Sequence, residues 1–242
     1  MIPPDLQREE APPPSEAFWD YQDLALFIML AVVSLFGALI VVRFVPFVNS
    51  LATPYKLLAG QLIWYVLVFA WLGAILRLRY DAPFWRSLGW IGPHARDALA
   101  AIVFGPVLVL IIGLIGVALR TPQIQLPFQD MLTGTTRMIL FALLVAVIGP
   151  LCEELAFRGF IMPRLIRSFG ALAGIVVTGV LFGLLHGFEY PDWRHVVLIA
   201  IAGIVFGWTR YRTGSTVNSA LMHGTFNLTQ YIALVASGAA GR

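Results

Sequence analysis

A chain of 242 residues that is 59% hydrophobic and only 12% charged, with a mean hydropathy of +0.84, lies outside the range of water-soluble domains. Its net charge of +3 comes from arginines between apolar runs, with no basic stripe interleaved with aromatics, which excludes nucleic acid as a partner. The single cysteine, Cys152, excludes an internal disulfide and any Cys-rich metal spacing, and is expected to be a small buried apolar residue.

Residues 1–20 hold five prolines, several carboxylates and one arginine, and are expected to form a disordered tail. Runs of about 20 apolar residues suffice for a helix to cross the hydrocarbon core. Such runs fall at 24–42, 57–76, 98–119, 138–160, 169–188, 194–208 and 216–235. The first lacks a basic lead-in and a small-residue cleavage site, so it is expected to be a retained span rather than a signal peptide. Between the second and third, 83–93 carries Phe84, Trp85, Arg86 and Trp90, a composition suited to lying at the headgroup level. The expected fold is all-α, a polytopic transmembrane bundle of about seven spans (six to eight) plus one interfacial segment. Residues 21–242 form a single transmembrane domain, with 21–130 as scaffold spans and 131–242 as the working half. Distributing the loops on alternate sides puts ten of the sixteen Arg and Lys on the side of the N-terminus, which predicts a cytoplasmic N-terminus. No inverted repeat is apparent, and the first three spans are nearly featureless.

The second half is different. A charged group inside a span costs roughly 2.5 to 3.5 kcal/mol, so it persists where it pairs, faces a cavity or does chemistry. Glu153, Glu154, Arg158, His186, His223 and Asn227 all fall in or at the ends of predicted spans. Glu154 and Arg158 are spaced i, i+4, which places them on one face as a structural ion pair. Glu153 points about 100° away and has no cation at helical spacing. A desolvated carboxylate of this kind is expected to be raised toward what a general base requires. Gly149-Pro150 interrupts the same helix and frees carbonyls beside Glu153. Phe182 and His186 are i, i+4, which stacks ring on imidazole, and His223 and Asn227 share a face one turn beyond Ser219. His94 and His195 read as loop residues without a role. Ser219 is the nearest candidate nucleophile, but no nucleophile elbow is present, and a serine in a span tends to bond to its own backbone. One carboxylate, two imidazoles and one carboxamide on three helices can activate water and stabilise an oxyanion.

In order along the chain, Glu153-Glu154-x-x-x-Arg158, Phe182-x-x-x-His186 and His223-x-x-x-Asn227 resemble the three signature motifs of the CPBP family, which comprises type II CAAX prenyl endopeptidases and the Abi proteins of bacteriocin processing and immunity. The resemblance covers about 137–234. It implies that Glu153 is the base that activates water, helped by His186. It further implies that His223 and Asn227 stabilise the tetrahedral oxyanion, and that Glu154, Arg158 and Phe182 support the site. The family is also described as metalloproteases, in which Glu153, His186 and His223 would hold zinc. Two His and one Glu make a catalytic zinc set, but the His-Glu-x-x-His helix is absent, so the reading that requires no cofactor stands ahead.

The leading expectation is an intramembrane endopeptidase acting on a membrane-associated peptide or lipid-modified, CAAX-like protein. The partners are then substrate and lipid bilayer, and the location a membrane, multi-pass; an Ala-, Arg- and Gly-rich chain with one lysine suggests a bacterial plasma membrane. Two alternatives stand beside it. One is a non-catalytic immunity or binding protein that keeps the motif helices as a polar core. The other is a proton-coupled transporter with Glu153 and the histidines as a relay.

Overall fold

The computed structural model describes residues 18–123, 129–190 and 192–237. Seven long helices occur where the apolar runs predict them: α1 Tyr21–Phe44, α2 Thr53–Tyr80, α3 Ala95–Ala118, α4 Thr135–Phe169, α5 Ala171–His186, α6 Trp193–Thr213 and α7 Thr216–Ala236. Short helices Pro46–Ser50 and Phe84–Ser87 and a tight turn Gln129–Leu132 lie between them, and no strand occurs among the described residues. The expected all-α class is therefore borne out. The expected count of about seven crossings is not confirmed: among the described residues, α1, α2, α3, α4 and α6 are the five helices long and apolar enough to span a membrane. With sixteen residues, α5 reaches about 24 Å at 1.5 Å per residue, short of the hydrocarbon core. α7 has the length but carries Asn218, Ser219, His223, Thr225, Asn227, Thr229 and Gln230. The run expected at 169–188 also begins later, because α4 continues to Phe169 and the chain turns at Gly170.

The distribution of polarity is that of a membrane protein. Ile28, Val33, Phe36 and Ile40 of α1 and Val103, Leu110, Leu114 and Val117 of α3 face outward, while Glu154, Arg158, Asn218, Ser219 and His223 are buried. An apolar exterior of this extent would associate or precipitate in water, and polar groups at the centre are affordable only when they bond one another.

Helix α5 lies close against α6, with Gly179, Gly183 and Gly203 at the contact, small residues that let two backbones approach. Helix α7 runs along α3 and crosses α4. Both surfaces converge on α4, the helix with the carboxylates.

Two sequence expectations need correction. The tail expected to be disordered lies mostly outside the described residues, at 1–17, but its end is ordered. Trp19 is buried, stacks on Phe160 with ring centroids 4.9 Å apart and donates its indole N–H to the Phe160 carbonyl at 3.0 Å. Asp20 caps α1, accepting from the N–H of Gln22 and Asp23, while Asp23 returns a carboxylate to the Asp20 N–H. The second concerns 83–93. Trp85 is exposed as expected, but Leu88 is fully buried and this segment caps α7. The Leu88 carbonyl accepts from the Thr216 hydroxyl at 2.7 Å, the Gly89 carbonyl from the Thr216 N–H at 2.9 Å, and the Ile91 carbonyl from the Ser215 hydroxyl at 2.5 Å. Gly89 is required here twice over: its φ is +66°, and the Arg210 guanidinium occupies the place of a side chain.

Candidate active site

The site begins with a defect in α4. Pro150 has no N–H, so the Ala146 carbonyl loses its helical partner, and the Gly149 N–H reaches back five residues to Leu144, opening a wide turn over Leu144–Ile148. Both freed carbonyls face α7. That of Val145 accepts from the Asn227 amide at 2.9 Å, and that of Ala146 lies where a side chain on residue 224 would stand, which is why α7 has Gly224 there. A second wide turn, Leu155–Ile161, follows the short α-helical stretch Gly149–Glu154. The interruption expected at Gly149-Pro150 is thus present, and it binds Asn227.

Glu154 is the hub of the interior, fully buried together with Arg158. The expected i, i+4 pair forms, with Arg158 Nη1 donating to Glu154 Oε1 at 2.8 Å. Its reach exceeds one helix. Arg158 Nη2 donates to the Gly203 carbonyl of α6 at 2.7 Å, and its guanidinium lies 4.6 Å from the Phe182 ring centroid on α5. Glu154 also accepts from the Ser219 hydroxyl at 2.7 Å and faces His223 Nδ1 at 3.0 Å, so α4, α5, α6 and α7 are tied at one point. Ser219 therefore bonds to Glu154 as well as to the Thr216 carbonyl of its own helix. Cys152 is buried and unbridged, as its composition predicts.

Glu153 faces elsewhere, as its 100° offset requires. Its Oε2 lies 3.7 Å from His223 Nε2, and its side chain keeps a quarter of its exposure, so it opens outward rather than being sealed like Glu154. His223 therefore bridges the two carboxylates, Nδ1 to Glu154 and Nε2 to Glu153, with its ring stacked on Phe206 at 4.5 Å. His186 packs on Phe182 with centroids 4.5 Å apart, as predicted, and its Nδ1 lies 2.8 Å from the Phe182 carbonyl. With Nδ1 as donor, Nε2 is the basic edge of that ring. Phe182 also meets His223 edge-on at 5.7 Å, so one aromatic ring separates the two imidazoles. The candidate zinc set is not assembled: among the described residues no three His, Cys, Asp or Glu side chains form a group that could hold a metal ion, Glu153, His186 and His223 included.

Two nearby residues were missed in the sequence reading. Glu189, in the connection after α5, lies within electrostatic reach of His186 and Glu153. The residue is exposed at the surface, and partial desolvation raises its carboxyl above the ordinary value, His186 opposing that and Glu153 adding to it. The signal in sequence was its i+3 spacing from His186. The other is Tyr65 of α2, an electrostatic neighbour of Glu153, with Gln61 a turn earlier as the signal of a polar pair in a span read as featureless.

Residues 135–229 match the family model described as Type II CAAX prenyl endopeptidase Rce1-like, which bears out the recognition made from the three motifs. All six charged and polar motif residues lie within the matched segment. No curated protein and no solved structure matches the chain.

Proposed function

We propose that the chain is an intramembrane endopeptidase of the CAAX type that uses Glu153 to activate water against a peptide bond of a membrane-associated, lipid-modified substrate. The observation that carries this reading is the division of labour between adjacent carboxylates. Glu154 is consumed by Arg158, Ser219 and His223, while Glu153 is partly open, with His223 Nε2 at 3.7 Å from its Oε2. A packed structural core would not need the second. In this scheme Glu153 takes a proton from water as the oxygen attacks the scissile carbonyl, with the basic edge of His186 holding that water. Oxyanion charge then develops opposite. Asn227 uses one amide N–H on Val145 and has a second to offer. With both nitrogens protonated, His223 donates Nδ1–H to Glu154 and presents Nε2–H to the oxyanion. On collapse the C–N bond breaks and the proton held by Glu153 passes to the leaving amine. Every step uses residues of the chain, and none is routed through zinc.

Division of the chain into scaffold spans and a motif-bearing half, a cytoplasmic N-terminus and a bacterial plasma membrane complete the reading. The experiment follows cleavage of a quenched fluorescent farnesylated peptide ending in Cys-Ala-Ala-X by the full-length protein in liposomes. Asn227→Ala is expected to lower kcat by about 10²-fold, the usual loss for one oxyanion donor, with KM little changed. Wild-type kcat in that variant would remove Asn227 from the reacting centre.

A further inference from the structure

Ser219 has one hydrogen to give and two acceptors in reach. Its Oγ lies 2.7 Å from Glu154 Oε2 and 3.2 Å from the Thr216 carbonyl of its own helix. A bond to an ionised carboxylate is shorter and roughly twice as strong as one to a neutral carbonyl, so the hydrogen goes to Glu154. Ser219 is also fully buried, and a sealed hydroxyl already bonded to a carboxylate is not placed to attack a substrate. Its bond serves Glu154 instead. Oε1 of that carboxylate takes Arg158 Nη1 at 2.8 Å and faces His223 Nδ1 at 3.0 Å, while among the described residues the hydrogen bond to Oε2 comes from Ser219. A carboxylate torsion is broad and roughly two-fold, so a donor on Oε2 fixes which oxygen the imidazole meets.

The imidazole needs that fixed partner. Its plane is set by Phe206, stacked at 4.5 Å and 19°, and by Phe182, edge-on at 5.7 Å. Stacking does not choose between the two edges of the ring, because a half-turn about the Cβ–Cγ bond restores the plane and exchanges Nδ1 with Cδ2 and Nε2 with Cε1. The contact of Nδ1 with Glu154 Oε1 selects one of the two, and so places Nε2 rather than a carbon against Glu153 at 3.7 Å. Residues 219, 223 and 227 recur every four positions on one face of α7, and each meets α4: Ser219 and His223 at Glu154, Asn227 at the Val145 carbonyl. A serine thus extends the His-x-x-x-Asn motif of this chain by one turn.

We propose that Ser219 is a positioning residue for His223: by donating to Oε2 it holds the Glu154 carboxylate so that Oε1 accepts from His223 Nδ1–H, which aims Nε2–H at the reacting carbonyl. This rests on the endopeptidase reading. A ring with its Nδ1 acceptor unfixed presents nitrogen or carbon to the oxyanion, and misplacement of a reacting group by about 1 Å can cost on the order of 10²-fold in rate. Glu154 then has two tasks, balancing the charge of Arg158 and orienting His223, and the hydroxyl of Ser219 serves the second.

The test compares full-length wild type, Ser219→Ala, Ser219→Thr, Ser219→Cys and Glu153→Gln in liposomes, reading kcat and KM separately on the farnesylated Cys-Ala-Ala-X peptide, with thermal transitions alongside. For Ser219→Ala the expected result, measured below the thermal transition of the variant, is a kcat about 10- to 100-fold lower with KM within about twofold. Ser219→Thr keeps the hydroxyl and is expected to recover most of that loss, which a packing role does not predict. Ser219→Cys, near-isosteric and a weak donor, is expected to fall between the two, and it carries the test if Ser219→Ala does not fold. Wild-type kcat in Ser219→Ala, or in Ser219→Cys where the first does not fold, would overturn the role of Ser219, and so would equal losses in folded Ser219→Ala and Ser219→Thr. With Glu153→Gln inactive, either result leaves the peptidase reading standing. Cleavage that persists in Glu153→Gln would overturn the peptidase reading and this inference with it.

Discussion

Glu153→Gln is expected to lower the cleavage rate by about 10³-fold or more while leaving the thermal transition where it is in the wild type. The rate follows from chemistry: removal of a positioned general base forfeits on the order of 10² to 10⁴-fold, and glutamine cannot accept the proton. Stability follows from the surroundings. The Glu153 side chain is a quarter exposed and His223 Nε2 stands 3.7 Å from it, so the near-isosteric amide leaves no fully buried charge stripped of its partner. A kinetic assay paired with scanning fluorimetry reads both. Loss of activity together with loss of the fold would place Glu153 in the structural core instead.

Glu154→Gln should do the reverse in its first effect. Arg158 is wholly buried and takes its charge balance from Glu154 at 2.8 Å. Neutralising one member leaves an uncompensated guanidinium, which costs about 3 to 5 kcal/mol, whereas replacing both members by apolar residues is often close to neutral. For a chain of this size the loss corresponds to a thermal transition lower by on the order of 10 °C. The double variant Glu154→Met, Arg158→Leu is expected to recover much of that stability and none of the activity, because His223 then has no Nδ1 acceptor and Ser219 no carboxylate. An unchanged transition in Glu154→Gln would contradict the view of this residue as the tie between four helices.

These neighbours in sequence have different surroundings because a helix turns 100° per residue, and that much was legible without coordinates. So were the helices themselves, since runs such as 24–42 and 98–119 have no other stable state in lipid. The pair Glu154 and Arg158 and the stack of Phe182 on His186 were legible because i, i+4 neighbours meet on any helix. What was not legible depends on contacts between distant parts of the chain. The order of Trp19 comes from Phe160, 141 residues away, and the burial of Leu88 from its cap on α7. The bond of Asn227 to Val145 required knowing that the Pro150 defect opens toward α7 rather than toward another neighbour. Tyr65 sat in a span whose periodicity says nothing about which face meets α4. The count of about seven crossings is not confirmed for a different reason: α5 is apolar but short, and α7 has the length but is lined with polar side chains.

The most direct test of proteolysis compares membrane-protein N- and C-terminal peptides by mass spectrometry, in cells carrying wild type or Glu153→Gln at matched expression. The account predicts new termini, on membrane-associated proteins, that appear with the wild type and vanish in the variant. Identical termini in the two strains, with both proteins folded in the membrane, would contradict it and favour a binding protein that keeps these helices as a polar core.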